Sequence, residues 1–163
     1  MKTATLIGVL VVIVATLSVG VLGVKTSGII ISPQQVGKDE GGTWGITNQF
    51  NDSPQKIGIQ ANGLKWVSME SLTDQAGDQI IIYLYSFSNQ QDALAYYEDF
   101  VPTMNFSVIN GITTYYYQYG MVGAIYSLSG DKIIYISFVG SGNSNSLSPN
   151  EGNMLRLVSS LLN

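Results

Sequence analysis

The groups that could do chemistry in this chain are few, and what is missing narrows them first. Neither histidine nor cysteine occurs among the 163 residues. The commonest general base, the usual ligands of zinc, copper and haem, thiolate nucleophiles and disulfide frameworks are therefore all excluded. Carboxylates are the remaining acid–base groups: Asp74 with Asp78, Glu98 with Asp99, and the isolated Glu70, Asp92 and Asp131. A glycosidase needs two carboxyl groups facing one another across a cleft, which spacing along a chain does not establish. Asp74-Gln-Ala-Gly-Asp78 lacks the roughly six to eight oxygens of a calcium loop. Each of these acids reads most simply as a turn residue or part of a solvated helix face. Serines are plentiful, but none sits in G-x-S-x-G and none has a histidine to activate it. No catalytic, cofactor-binding or metal-binding residue follows.

Aromatic residues offer contact rather than catalysis. In TTYYYQYG, Tyr115, Tyr117 and Tyr119 fall on one face of a strand, with Tyr116 on the other. Such a row would serve as a platform for sugars or for a protein partner. The plainer reading, a β-favouring strand whose rings pack beneath a helix, is preferred. Trp44, in GGTWG, is read either as an exposed contact for a partner or the membrane interface, or as a core aromatic. Two glycosylation sequons occur, at Asn51 and Asn105; Pro54 weakens the first. Net charge is −4, with only 11% charged residues and no basic run, so nucleic acid is not an expected partner.

The elements that position these groups begin with an apolar stretch. From Ala4 to Val24 no residue is charged, and as a helix this stretch would be about 31 Å long, close to the hydrocarbon thickness of a bilayer. Residues 1–24 are read as a single-pass anchor, with residues 4–24 in the membrane and the C-terminal part outside. The alternatives are a signal peptide cut after Ser18-Val19-Gly20, giving a secreted protein, and a pilin-like assembly helix. Residues 25–42, rich in Gly, Ser, Pro and Gln, read as a tether. Residues 43–163 then form one extracytoplasmic domain.

Within that domain, Lys56–Gln60 and Leu64–Glu70 flank Asn62-Gly63 and predict a hairpin. Gln79–Phe87 is apolar on both faces, as a central strand should be. Ser88 with Gln91 makes a capping box for a helix whose inner face is Ala93, Leu94, Tyr97, Phe100 and Val101, ending at Pro102. Strands are predicted over Thr113–Tyr119, Val122–Ser129 and Lys132–Val139, as sequential neighbours. Ser148 with Glu151 caps a last helix carrying Met154, Leu155, Val158, Leu161 and Leu162 inward. The pattern β-β-β-α-β-β-β-α predicts an α+β fold: a largely antiparallel sheet with two amphipathic helices on one face or at its ends.

The stretch YLYSFSNQQDALAYYEDF, followed by a meander and a closing helix, resembles the layout of the photosystem oxygen-evolving P protein and Mog-like domains over about residues 56–162. The tyrosine-rich composition without His or Cys also looks like surface proteins of thermoacidophilic archaea. Neither resemblance carries a functional residue across. The functional expectation is a membrane-anchored extracytoplasmic binding or accessory domain within a membrane or envelope assembly, without a cofactor. An exported carboxylate-dependent, glycosidase-like hydrolase is the alternative.

Overall fold

The computed structural model describes residues 30–101 and 107–162. The apolar segment 1–24, the first residues of the expected tether, Pro102 and the Asn105 sequon lie outside the described residues. No helix among the described residues is long and apolar enough to cross a membrane.

The chain folds as α1 (Pro33–Glu40), β1 (Trp44–Asp52), β2 (Leu64–Asp74), β3 (Gln79–Phe87), α2 (Gln90–Phe100), β4 (Ser107–Ile109), β5 (Ile112–Tyr119), β6 (Val122–Ser129), β7 (Lys132–Val139) and α3 (Glu151–Leu162). The strands form one sheet in the order β1-β2-β3-β7-β6-β5-β4, and every pairing is antiparallel. The fold is thus α+β around an antiparallel sheet. Among the described residues there are three helices where the sequence predicts two for the outer domain, and a short edge strand, β4, that the sequence reading omits.

The doubly apolar β3 lies between β2 and β7, as a strand covered on both faces must. One face of the sheet presents Leu72, Ile80, Ile82, Ile125, Ile134, Ile136 and Phe138, against which α1 packs Val36 and α3 packs Met154, Leu157 and Val158. The other presents Leu64, Val67, Phe87, Leu128 and Ile133 to Ala93 and Tyr97 of α2 and to Val101, which caps it. The helices therefore lie on opposite faces, not on one. Alternation within each strand explains why: β3 and β7 have apolar side chains of both parities, so each face needs its own cover.

Several local readings shift for identifiable reasons. Residues 33–40, expected in a tether, form α1. Ser32 caps it by accepting from the Gln35 amide at 3.2 Å, and Pro33 occupies the first turn, where no N–H is required. Lys56–Gln60 is not a strand; β2 pairs instead with β1, and the connection 53–63 is built of turns. Asn62-Gly63 docks onto α2: the Asn62 amide donates to Asp92 Oδ1 at 2.9 Å, and the Ser88 amide donates to the Gly63 carbonyl at 2.7 Å. A Cβ on Gly63, whose φ is +69°, would collide with the Asp92 carboxylate.

Both predicted capping serines give way to asparagines. Asn89 accepts from the Asp92 amide at 2.9 Å, and Asn150 accepts from the Asn153 amide at 3.1 Å. Ser148 stays outside the helix because Pro149 is wedged against β6, close enough that a Cβ on Gly123 would stand 2.5 Å from the Pro149 Cβ. On α2, Leu94 is 38% exposed rather than buried. On α3, Leu157 is fully buried, whereas Leu155 is half-buried.

Candidate functional site

Tight turns place the tyrosines. Gly120 and Gly130 both take positive φ, 58° and 59°, in the connections β5–β6 and β6–β7. These turns fix the register so that Tyr115 faces Tyr126 and Tyr126 faces Tyr135. The pairing of β3 with β7 then sets Tyr83 against Tyr135. A row of four tyrosines crosses β3, β7, β6 and β5 on the face that carries α2, with Tyr85 and Tyr117 alongside. Tyr126 and Tyr135 have ring centroids 4.5 Å apart, Tyr83 and Tyr85 stack at 6.0 Å, and Tyr115 lies 6.3 Å from Tyr117.

These rings are half-buried, because α2 covers only the end of the face at Phe87, Leu128 and Ile133. Tyr96 of α2 packs on Tyr85 and Phe87, and the Tyr97 hydroxyl donates to the Tyr126 carbonyl at 3.1 Å. Beyond the helix, the same parity of β3, β5, β6 and β7 holds no Lys, Arg, Asp or Glu. Burial pushes the hydroxyls of Tyr85 and Tyr126 well above their ordinary range, with neighbouring tyrosines adding to it, and pushes Tyr117 up to about 12. The surface is therefore uncharged, aromatic and hydroxyl-bearing.

The sequence candidates separate on this map. Tyr115 and Tyr117 belong to the row. Tyr119 shares their parity but stands at the strand end, 87% exposed. Tyr116 points to the other face, where its hydroxyl donates to Gln118 at 2.9 Å. Trp44 is not exposed: it is 6% accessible, meets Phe138 edge-on at 6.3 Å and donates its indole N–H to the Gly41 carbonyl at 2.6 Å. Asn51 lies in β1 and accepts from the Ser68 hydroxyl at 3.1 Å. Tyr83, Tyr85, Tyr126 and Tyr135 were missed as site residues. The signal was present in the two-residue turns, which align Tyr115, Tyr126 and Tyr135 by counting alone.

The carboxylates take structural positions. Asp78 is fully buried and accepts from the Ser141 amide at 2.7 Å, the Ser146 hydroxyl at 2.5 Å and the Leu147 amide at 2.6 Å, pinning the loop that precedes α3. Burial opposes its charge, but these donors outweigh burial and hold its pKa below the usual range. Glu70, also fully buried, accepts from the Ile30 amide at 2.9 Å. Its other oxygen and the side-chain oxygen of Gln49, opposite in register, are buried without a donor; burial raises Glu70, and a proton there would supply one. Burial also pushes Glu40 up to about 7, against the pull of Asn153 and Arg156. Among the described residues no group of three or more acids is placed to hold a metal.

No protein-family model matches the chain, and no curated protein matches it in sequence. In structure it is similar to the extracellular domain of PknH from Mycobacterium tuberculosis. The TM-score is 0.52 and the identity 7%, over 81% of this chain and 92% of that one. At that identity the similarity establishes a shared fold.

Proposed function

We propose that the protein is a membrane-anchored, extracytoplasmic binding domain that uses the tyrosine face to hold a partner in a membrane or envelope assembly. The observation that carries this reading is the row Tyr83, Tyr135, Tyr126 and Tyr115, half-open and free of charge where α2 stops. Tyrosine supplies large, stiff contact area together with a hydroxyl, the combination favoured at the centres of interfaces. An uncharged platform suits a partner presenting apolar and hydroxyl groups rather than phosphates or nucleic acid. An outside location is supported by the uncharged segment 4–24 and by a structural neighbour that is itself an extracellular domain.

Photocrosslinking in native membranes tests the reading. A benzophenone side chain at Tyr117 should capture a discrete partner, and the same group at Asn153 on α3 should not. Identical adducts from both positions would sink the assignment of the face.

A further inference from the structure

We propose that one end of the opposite sheet face, carrying Trp66 and Lys132 with Lys65 at the adjoining register shift, rests on the lipid headgroups of the bilayer. The inference rests on the reading of residues 4–24 as an anchor and goes beyond it to an orientation. Its first support is where the chain joins the domain. The Ile30 amide is fixed to the fully buried Glu70 of β2, and Ile31 is buried in the core beside it. Five residues, Lys25–Ile29, separate Val24 from that point. Whatever their conformation, they reach no further than about 20 Å, so Ile30 is held close to the headgroup layer.

The second support is which end of the sheet lies there. Gln35 bonds Ser160 at 3.2 Å and Arg156 bonds the Asp39 carbonyl at 3.1 Å, so α1 and α3 run antiparallel. The N-terminus of α1 and the C-terminus of α3 therefore share one end of the molecule. α3 starts beside Gly123 at the first turn of β6, so the shared end is the one where β6 finishes and β2 begins. Trp66 lies there, on the same face as Glu70 and about 13 Å along the strand from it. It is 51% exposed, and an indole at such a position has the amphipathic character that favours the membrane–water interface.

The third support is charge. Trp66 faces Ser86 and Ser86 faces Lys132, so Lys132 stands on the same face about 10 Å away. Lys65 is adjacent to Trp66 in the chain, and both lysines are exposed. Their stems can lie along the apolar surface while the ammonium groups meet lipid phosphate. Asp131 sits in the neighbouring turn, and Lys56 is engaged with Asp52 at 2.9 Å; two lysines are left to face the lipid. In this orientation the tyrosine face, on the other side of the same sheet, points away from the bilayer.

The test uses the full chain reconstituted into liposomes of phosphatidylcholine with phosphatidylglycerol, unlabelled or brominated high in the acyl chains. The two tryptophans divide the signal, because Trp44 is buried and serves as an internal reference. Brominated lipid should remove roughly a third of the emission of the wild type and less than about a tenth of that of Trp66→Gln. The double variant Lys65→Glu with Lys132→Glu should show about half the wild-type quenching. Equal quenching of wild type and Trp66→Gln, in a protein that floats with the vesicles, overturns the orientation and leaves the anchor standing. Failure to float overturns the anchor and this proposal together. A glycan on Asn51 of the native protein would also overturn it, since Asn51 pairs with Ser68 at this same end of the face.

Discussion

Alkali should unfold this protein abruptly. Tyr85, Tyr97 and Tyr126 are held well above the ordinary tyrosine pKa of 10.0, and Tyr117 is pushed to about 12, burial being the leading cause in each. A pKa raised in the folded state gives stability that is intact below the unfolded value and lost as pH rises through the folded one. At pH 11 the unfolded chain gains about 1.4 kcal/mol for each tyrosine that ionises only when unfolded. The four together then favour unfolding by about 6 kcal/mol, and by about 10 at pH 12, against an ordinary domain stability of about 5–15. Absorbance from these buried tyrosines should therefore rise steeply between about pH 11 and 12, together with loss of far-ultraviolet circular dichroism. Replacing Tyr85 and Tyr126 by Phe should flatten the pH dependence and move the midpoint upward. A smooth titration centred near 10 with the dichroism intact would refute the reasoning, because the rings would then be solvated in the folded state.

Acid should act in the opposite sense over its first part. Glu40 is raised to about 7 by burial and Glu70 is raised as well, so their contribution is present below the unfolded carboxylate range and lost as pH rises through the folded values. Guanidinium melts should show greater stability at pH 5 than at pH 8, by about 3 kcal/mol from Glu40 alone, and Glu40→Gln should remove that share. Asp78 runs the other way: its depressed pKa gives stability that is lost as pH falls through the folded value, below the ordinary 3.8. Asp78→Ala should cost about 3 kcal/mol or more and speed exchange of the Ser141 and Leu147 amides, and unchanged exchange would mean the loop is held otherwise. Asn150→Ala should cost about 1 kcal/mol while Ser148→Ala is close to neutral, a contrast that denaturant melts resolve and that reversed values would contradict.

The parts of the fold legible in the sequence were those where a single strand or turn settles its own geometry. Gln79–Phe87 is apolar at both parities and lies inside the sheet. Gly120 and Gly130 close short turns, and the strands on either side are sequential neighbours as their alternation required. What escaped was set by contacts between distant segments. Asn62-Gly63 has the residues of a hairpin turn, but Gly63 lies against Asp92, and the strand partner of β2 lies beyond the loop. The tether reading of residues 33–40 missed α1 because its mean hydropathy is low and its inward residues are few. Val36 faces the core only because α3 stands beside it.

The candidate site divides in the same way. That Tyr115, Tyr126 and Tyr135 share a row follows from counting outward from two glycines. That Tyr83 completes it depends on β3 pairing with β7 across the helix and three strands inserted between them in the chain. Trp44, beside Gly41-Gly42, had the surroundings of an exposed residue, but the turn after α1 gives its N–H the Gly41 carbonyl and β7 gives its ring Phe138. Trp66, just after a register shift at the start of β2, is the tryptophan that reaches solvent. Burial along a strand depends on whether a helix covers that end of the sheet, and the covering helices α1 and α3 both stop short of Trp66, while α2 stops short of Tyr83 and Tyr117. The two open areas are thus the parts of one sheet that three short helices cannot reach. One contains tyrosines without charge and the other contains a tryptophan with two lysines, so the two areas suit different surroundings.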